Sequence, residues 1–263
     1  PADVARADTV AGAVQGADVV VNLVGILYER GRATFQKIHE EGAGNVAQAA
    51  ADAGVKRLVH VSALGADAES PAKYARSKAA GEAAVKAAFA KATILRPSIV
   101  FGPEDDFFNR FASMARLSPV LPVIGAASAK DGGPKFQPVY VGDVADAVMA
   151  ALSDAKAPGQ VFELGGPTVY SFRELMQLVM AQTGRKRCLL PLPYWAAEMQ
   201  AAILGLLPSP PLTSDQVQLL RRDNVVGDKV KTLKNLGIAP RAAEAVLPTY
   251  LMRFRNNAWQ GVQ

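Results

Sequence analysis

Short, unbroken apolar runs alternate with long stretches of helical spacing through the first part of the chain. Val19 to Leu23 is a Val-rich run between Gly16-Ala17-Asp18 and Gly25, the pattern of a strand buried on both faces. Leu58 to Val61 repeats the pattern and stops at Ser62, and Thr93 to Leu95 repeats it again before Arg96-Pro97. Thr9 to Gln15 predicts a helix ahead of the first run. Phe35 to Ala53 predicts another, ending at Gly54 in the C′ position, and about Tyr74 to Phe89 a third. Gly42, Ala43, Gly44 and Ala47 are small enough to let the second of these lie close to a sheet.

Past Asp105 the pattern loosens. Phe107 to Leu117 predicts an amphipathic helix, and Pro119 to Pro138, rich in Pro, Gly and Ala, reads as loop. Pro138 to Val141 gives a strand, Val144 to Leu152 a helix with Asp143 as its N-cap, and Val161 to Leu164 a last strand before Gly165-Gly166-Pro167. Ser171 with Glu174 spells a capping box for a helix reaching Thr183. From Leu189 onward, proline-punctuated amphipathic segments form a second lobe. Buried strands alternating with long helices imply an α/β fold with a doubly wound parallel sheet. Ligands in such a fold bind beyond the carboxyl ends of the strands, where Asn22 to Gly25, Ser62 and Pro97 to Ile99 are expected.

Composition narrows the class. Half of the 263 residues are hydrophobic and 20% are charged, ordinary for a globular protein with a real core. Cys188 is the one cysteine, so no intrachain disulfide forms and a reducing compartment is expected. With His39 and His60 the only histidines, no metal site is expected. Pro1 to Asp18 is too charged for a secretory signal, and the apolar stretch Trp195 to Leu207 is interrupted by Glu198 and Gln200 and too short to span a bilayer. The net charge of +5 is concentrated late: from Arg185 on, eleven Lys/Arg stand against five Asp/Glu. That excess is either a solvated face or a surface for an acidic partner or a membrane. No nucleic acid is expected as a partner, because the excess is modest and no binding motif accompanies it.

Tyr74 and Lys78 form a Tyr-x-x-x-Lys pair, one turn apart on a predicted helix. An ammonium so placed would lower the tyrosine pKa toward the range of proton transfer, and it can also bond ribose hydroxyls. Ser62, at a strand end, would hold a carbonyl oxygen. Together Ser62, Tyr74 and Lys78 are the candidate catalytic residues.

The order of these pieces resembles the extended or atypical short-chain dehydrogenase/reductases. The resemblance is carried by Asp18-Val-Val-Val-Asn22-Leu-Val-Gly25, Gly54-Val-Lys-Arg-Leu-Val-His-Val-Ser62, Tyr74-Ala-Arg-Ser-Lys78, Leu95-Arg-Pro-Ser-Ile-Val-Phe-Gly-Pro103 and Val139-Tyr-Val-Gly-Asp-Val144. Within that superfamily the chain is similar to the family of NADPH-binding accessory subunits of respiratory complex I. That similarity runs through Phe101 to Met114, Gln137 to Val141, Leu192 to Trp195, Leu212 to Val217, Leu233 to Gly237 and the tail near Tyr250 to Trp259.

The resemblance implies a Rossmann-like domain over residues 1–184, with parts of a substrate lobe inserted at about 104–138, and a basic, mainly helical lobe over 185–263. It implies NADP(H) as cofactor, NAD(H) not being excluded. Asp3 and Val4 would end a strand beside the adenine, and Asn22, Leu23, Val24 and Gly25 would lie by the adenosine ribose. Tyr74 and Lys78 would sit at the nicotinamide ribose, and Pro97, Ser98 and Ile99 near the nicotinamide. It further implies complex I subunits as partners, a possible membrane contact through the basic lobe, and a peripheral place on the cytoplasmic face of the inner membrane, or the matrix side in mitochondria. The glycine-rich turn that holds the pyrophosphate in the family does not precede Asp3, so the first βαβα unit is missing from these 263 residues and weak or no dinucleotide binding is expected of them. Two functions follow: an accessory subunit or assembly factor without turnover of its own, or an active reductase, epimerase or dehydratase acting on a carbonyl or nucleotide-sugar-like substrate.

Overall fold

A computed structural model describes residues 2–205, 207 and 210–255. The chain opens with α1 (Ala7–Val14), β1 (Val19–Asn22), one turn of π-helix (Gln36–Glu41) running into α2 (Gly42–Asp52), β2 (Arg57–Val61), α3 (Lys73–Ala88) and β3 (Thr93–Pro97). Next come β4 (Val100–Phe101), α4 (Phe107–Leu117), β5 (Val120–Ile124), β6 (Lys135–Phe136), β7 (Val139–Tyr140), α5 (Val141–Ser153), β8 (Val161–Leu164), β9 (Tyr170–Ser171) and α6 (Phe172–Thr183). β10 (Cys188–Leu192), α7 (Tyr194–Leu204), α8 (Ser214–Leu219), β11 (Lys231–Thr232) and α9 (Ala243–Leu251) complete the order.

Contacts divide the chain into two compact units that share its length by turns. The first takes residues up to Pro97, Val144–Leu164 and Val226–Ala239; the second takes Ser98–Asp143, Gly165–Val225 and the chain from Pro240. This differs from a boundary at 184/185. It also splits the late basic excess, since Lys229, Lys231 and Lys234 fall in the first unit.

The first unit holds a five-stranded sheet in the order β1-β2-β3-β8-β11, parallel throughout. Val10 and Val14 of α1, Val46 and Ala47 of α2 and Val85 of α3 pack with Leu58 of β2. β1 lies at the edge of this order, and only its Asn22 is buried, with Val19 43% exposed. α2 ends as expected, with Gly54 at φ 69°.

The close approach of α3 to the π-turn depends on Gly81, where a Cβ would run into the His39 carbonyl oxygen. Gly81→Ala is expected to destabilise the protein by about 1–3 kcal/mol in urea denaturation, since backbone on backbone has no room to relax. Gly44→Ala is the control: its added Cβ meets Ala84 Cβ at an ordinary 3.4 Å. That substitution should gain up to about 1 kcal/mol from helix propensity.

The second unit packs around an aromatic cluster of Phe101, Phe107, Phe108, Phe111, Phe136 and Phe172. α4 spans the residues its periodicity predicts. The segment 119–138 is not all loop: β5 pairs in parallel with β10, Val120 opposite Cys188, and β6 pairs with β9. The capping box of α6 is formed, with Ser171 and Glu174 each accepting from the other's backbone N–H. Asp143 is not an N-cap. α5 starts at Val141, directly after β7, and the Asp143 carboxylate is spent on Arg241, accepting from its backbone N–H at 2.7 Å. On α7 the inward positions are Ala197 and Ala201, while Trp195, Met199 and Ile203 are 67%, 62% and 70% exposed. No helix among the described residues is long and apolar enough to cross a membrane. Trp259 lies outside the described residues.

Candidate functional site

Three neighbouring strands of the first unit end together: β1 at Asn22, β2 at Val61 and β3 at Pro97. Backbone bonds carry the pairing past the ladder, with Ser62 N–H donating to Leu95 O and Leu64 N–H to Pro97 O, both at 2.8 Å. Asn22, buried, turns the chain out of β1 by accepting from Val24 N–H at 3.1 Å. Its amide nitrogen donates to His60 Nδ1 at 3.2 Å. His60 therefore carries its proton on Nε2, which is buried and has no hydrogen-bond partner. The Ser62 hydroxyl is likewise buried and unpartnered.

α3 brings Tyr74 and Lys78 over these strand ends on one face. Lys78 is 6% exposed, and its ammonium makes one long bond, donating to Val61 O at 3.4 Å. Burial pulls its pKa down to about 8, with Glu82 opposing the shift. Gly25 faces this ammonium closely: a Cβ there would stand 3.4 Å from Lys78 Nζ. Tyr74 departs from the sequence expectation, its pKa being pushed up to about 12 by desolvation. The lysine does not lower it, because the ammonium reaches toward Val61 and Gly25. At neutral pH Tyr74 is thus a neutral phenol, able to donate a proton but a poor base.

Beneath α3 a polar row crosses one face of the sheet. Paired residues of a parallel ladder share a face, as do alternate residues of a strand, which aligns Asn22, His60, Ile94, Arg96 and Glu163. Arg96 donates two bonds of 2.8 Å to the buried Glu82 carboxylate and approaches Glu163 at 3.6 Å. Glu163 in turn accepts from Gly227 N–H at 3.0 Å.

His39 is the member of the site that local pattern does not single out. Buried in the π-turn, it stacks on Phe35 and stands edge-on to Tyr74 with ring centroids 5.3 Å apart. Ser77 Oγ gives its one proton to Tyr74 O at 2.8 Å, so the 2.9 Å contact to His39 Nδ1 has the imidazole as donor. Nε2 then accepts from Ile26 N–H at 3.0 Å. Both ring nitrogens are used, and burial with the Lys78 charge nearby lowers the pKa to about 4. The available signal was the π-turn itself, an irregularity that often marks functional sites and that periodicity cannot reveal.

The first unit thus brings together Asn22, Gly25, Ser62, Tyr74 and Lys78, with Pro97 ending the adjoining strand. Leu23 and Val24 are exposed beside them. Ser98 and Ile99 belong to the second unit and have partners there: Ser98 Oγ donates to Asn224 Oδ1 at 2.6 Å, and Ile99 O accepts from Val139 N–H at 2.9 Å. Asp3 is exposed and closes a turn by accepting from Ala5 N–H, while Val4 packs on Gly42 and accepts from Asn45. A buried ammonium short of acceptors, an unpartnered hydroxyl and a glycine that admits close approach fit the ribose of a nicotinamide nucleotide.

Comparison with known proteins bears on this geometry. Residues 1–165 match the NAD dependent epimerase/dehydratase family. The chain is 35% identical over 254 residues to NADH dehydrogenase [ubiquinone] 1 alpha subcomplex subunit 9, mitochondrial, of Mus musculus, covering 96% of this chain and 66% of that protein. The Arabidopsis thaliana protein of the same name is 34% identical over 259 residues, 94% of this chain and 63% of its own length. The chain therefore spans about two thirds of the length of these relatives. Among solved structures, a nucleoside-diphosphate-sugar epimerase from Staphylococcus aureus superposes with a TM-score of 0.73 at 16% identity, over 94% of this chain and 82% of that one.

Proposed function

The chain belongs to the NAD dependent epimerase/dehydratase family, and from that premise we propose that it serves as a nicotinamide-nucleotide-binding accessory subunit of respiratory complex I, without turnover of its own. One observation carries this reading. The similarity to subunits of that name, at 35% identity, extends over 254 residues, well past the 165 that the family description covers, and so takes in the second unit as well.

The site supports binding of such a nucleotide. Lys78 would bond the nicotinamide ribose, Gly25 would let the nucleotide backbone pass close, and the Ser62 hydroxyl would orient a carbonyl group. A bound nicotinamide nucleotide supplies hydride-transfer chemistry. Tyr74, with its pKa pushed up to about 12, holds its proton at neutral pH. NADP(H) is the form proposed, on the family resemblance. A peripheral position at the inner membrane is part of the same proposal, with the outward apolar positions Trp195, Met199 and Ile203 of α7 as its contact there.

The test is affinity purification of the full-length gene product from its native membranes in mild detergent, followed by mass spectrometry. Complex I subunits are expected in equal amounts. Recovery of the protein alone and soluble would remove the subunit reading. It would favour the second reading, an active reductase using Ser62, Tyr74 and Lys78, in which Tyr74→Phe abolishes turnover with a carbonyl substrate and NADPH.

A further inference from the structure

We propose that His39 is a positioning residue: a neutral imidazole that clamps the loop leaving β1 to the Tyr74–Lys78 face of α3, and so fixes where a nucleotide ribose is received. The proposal rests on the nucleotide-binding reading and adds to it the part that holds the site together.

Two pieces of chain must be held in register for that site. They are the loop Asn22 to Ile26 and the turn of α3 carrying Tyr74, Ser77 and Lys78. Asn22 secures the start of the loop through Val24 N–H. Among the described residues, the side chain that secures its far end is His39, through Ile26 N–H at 3.0 Å. The same ring reaches α3 through Ser77, whose hydroxyl is committed to Tyr74 O. Phe35 stacked on one face and Tyr74 at the edge leave the imidazole one orientation. Gly25 lies between these anchors, with room for a Cβ only at 3.4 Å from Lys78 Nζ and 3.5 Å from His39 Nε2.

The π-turn is what makes the reach possible. The His39 carbonyl packs against Gly81 of α3 while its side chain spans from α3 to the β1 loop. An extra residue in the turn shifts the side chain around the helix axis relative to its neighbours. The imidazole must be neutral to do this, since a proton on Nε2 would abolish the acceptor that Ile26 N–H uses. Burial holds it in that state, with the Lys78 charge adding to the effect; His60, the other titratable group facing it, is itself neutral at pH 7.

The two bonds can be separated by substitution. His39→Gln keeps an acceptor near the position of Nε2 and loses the Ser77 donor. His39→Asn keeps a donor near Nδ1 and loses the acceptor, and His39→Phe keeps a ring and loses both. NADPH and NADH affinity is measured by nucleotide fluorescence on the full-length protein, and Ile26 amide exchange is measured without nucleotide. His39→Gln is expected to bind nucleotide within about threefold of wild type, with Ile26 still protected. His39→Asn and His39→Phe should bind about tenfold more weakly, with Ile26 exchanging at least tenfold faster. Equal Ile26 exchange in all four proteins would overturn the clamp, whatever the affinities. Faster exchange with unchanged affinity would overturn its role in receiving nucleotide. If wild type binds neither nucleotide, the nucleotide reading fails together with that role, while the exchange rates still decide whether the clamp exists.

Discussion

Lys78→Met is expected to weaken nicotinamide nucleotide binding by about 10–100-fold while making the free protein more stable. The first effect follows from losing the one cation that would bond the ribose, worth about 1.5–3 kcal/mol for a hydrogen bond to a charged group. The second follows from burial. Lys78 is 6% exposed and makes one long hydrogen bond, so in the absence of a ligand its charge is largely uncompensated. The folded pKa of about 8, against the ordinary 10.5, corresponds to a penalty on the order of 3 kcal/mol.

Linkage gives the pH window. Below about pH 8 both folded and unfolded states carry the proton, and the penalty is fully present. Between about 8 and 10.5 the unfolded chain binds more protons, so wild-type stability rises with pH. The stability gap between Lys78→Met and wild type should therefore be widest at neutral pH and close by about pH 10.5, as followed by urea denaturation. A variant less stable than wild type at pH 7 would mean that the ammonium is a structural partner, and a ligand-receiving role would lose its support.

Glu82→Ala is expected to destabilise the protein by about 3–5 kcal/mol, the cost of removing one partner of a buried pair. The substitution leaves the Arg96 guanidinium, whose side chain is 25% exposed, with Glu163 at 3.6 Å as its ion-pair partner. Replacing both partners with Met removes the stranded charge as well as the pair, and should recover most of the loss. If Glu82→Ala cost less than about 1 kcal/mol, the pair would be behaving as a solvated surface bridge. The polar row under α3 would then not be a fixed base for the site.

Much of both units was legible in the sequence because their signals are local. Thr93 to Leu95 lies within β3, Gly54 closes α2, and Ser171 with Glu174 caps α6, each decided by residues within a few positions of one another. α4 is found where periodicity puts it because its buried positions Phe108, Phe111, Ala112 and Ala115 fall on one side of a 3.6-residue turn. β5 was not legible. Val120 to Ile124 contains a proline and sits among Pro, Gly and Ala, and what makes it a strand is Cys188 to Leu192, far along the chain.

The chain's own residues determined an alternation of buried strands and long helices, hence a parallel sheet, and placed Asn22, Ser62, Tyr74 and Lys78 at or above strand ends. Only the tertiary structure decided what those groups are chemically. Desolvation holds the Tyr74 proton and loosens that of Lys78, against the simple expectation from their spacing. His39 owes its part to a π-turn that brings it between Ile26 and Ser77. Periodicity records which side of an element faces the core. Charge state and hydrogen-bond partners depend on distances between elements remote in sequence, and those exist once the chain has packed.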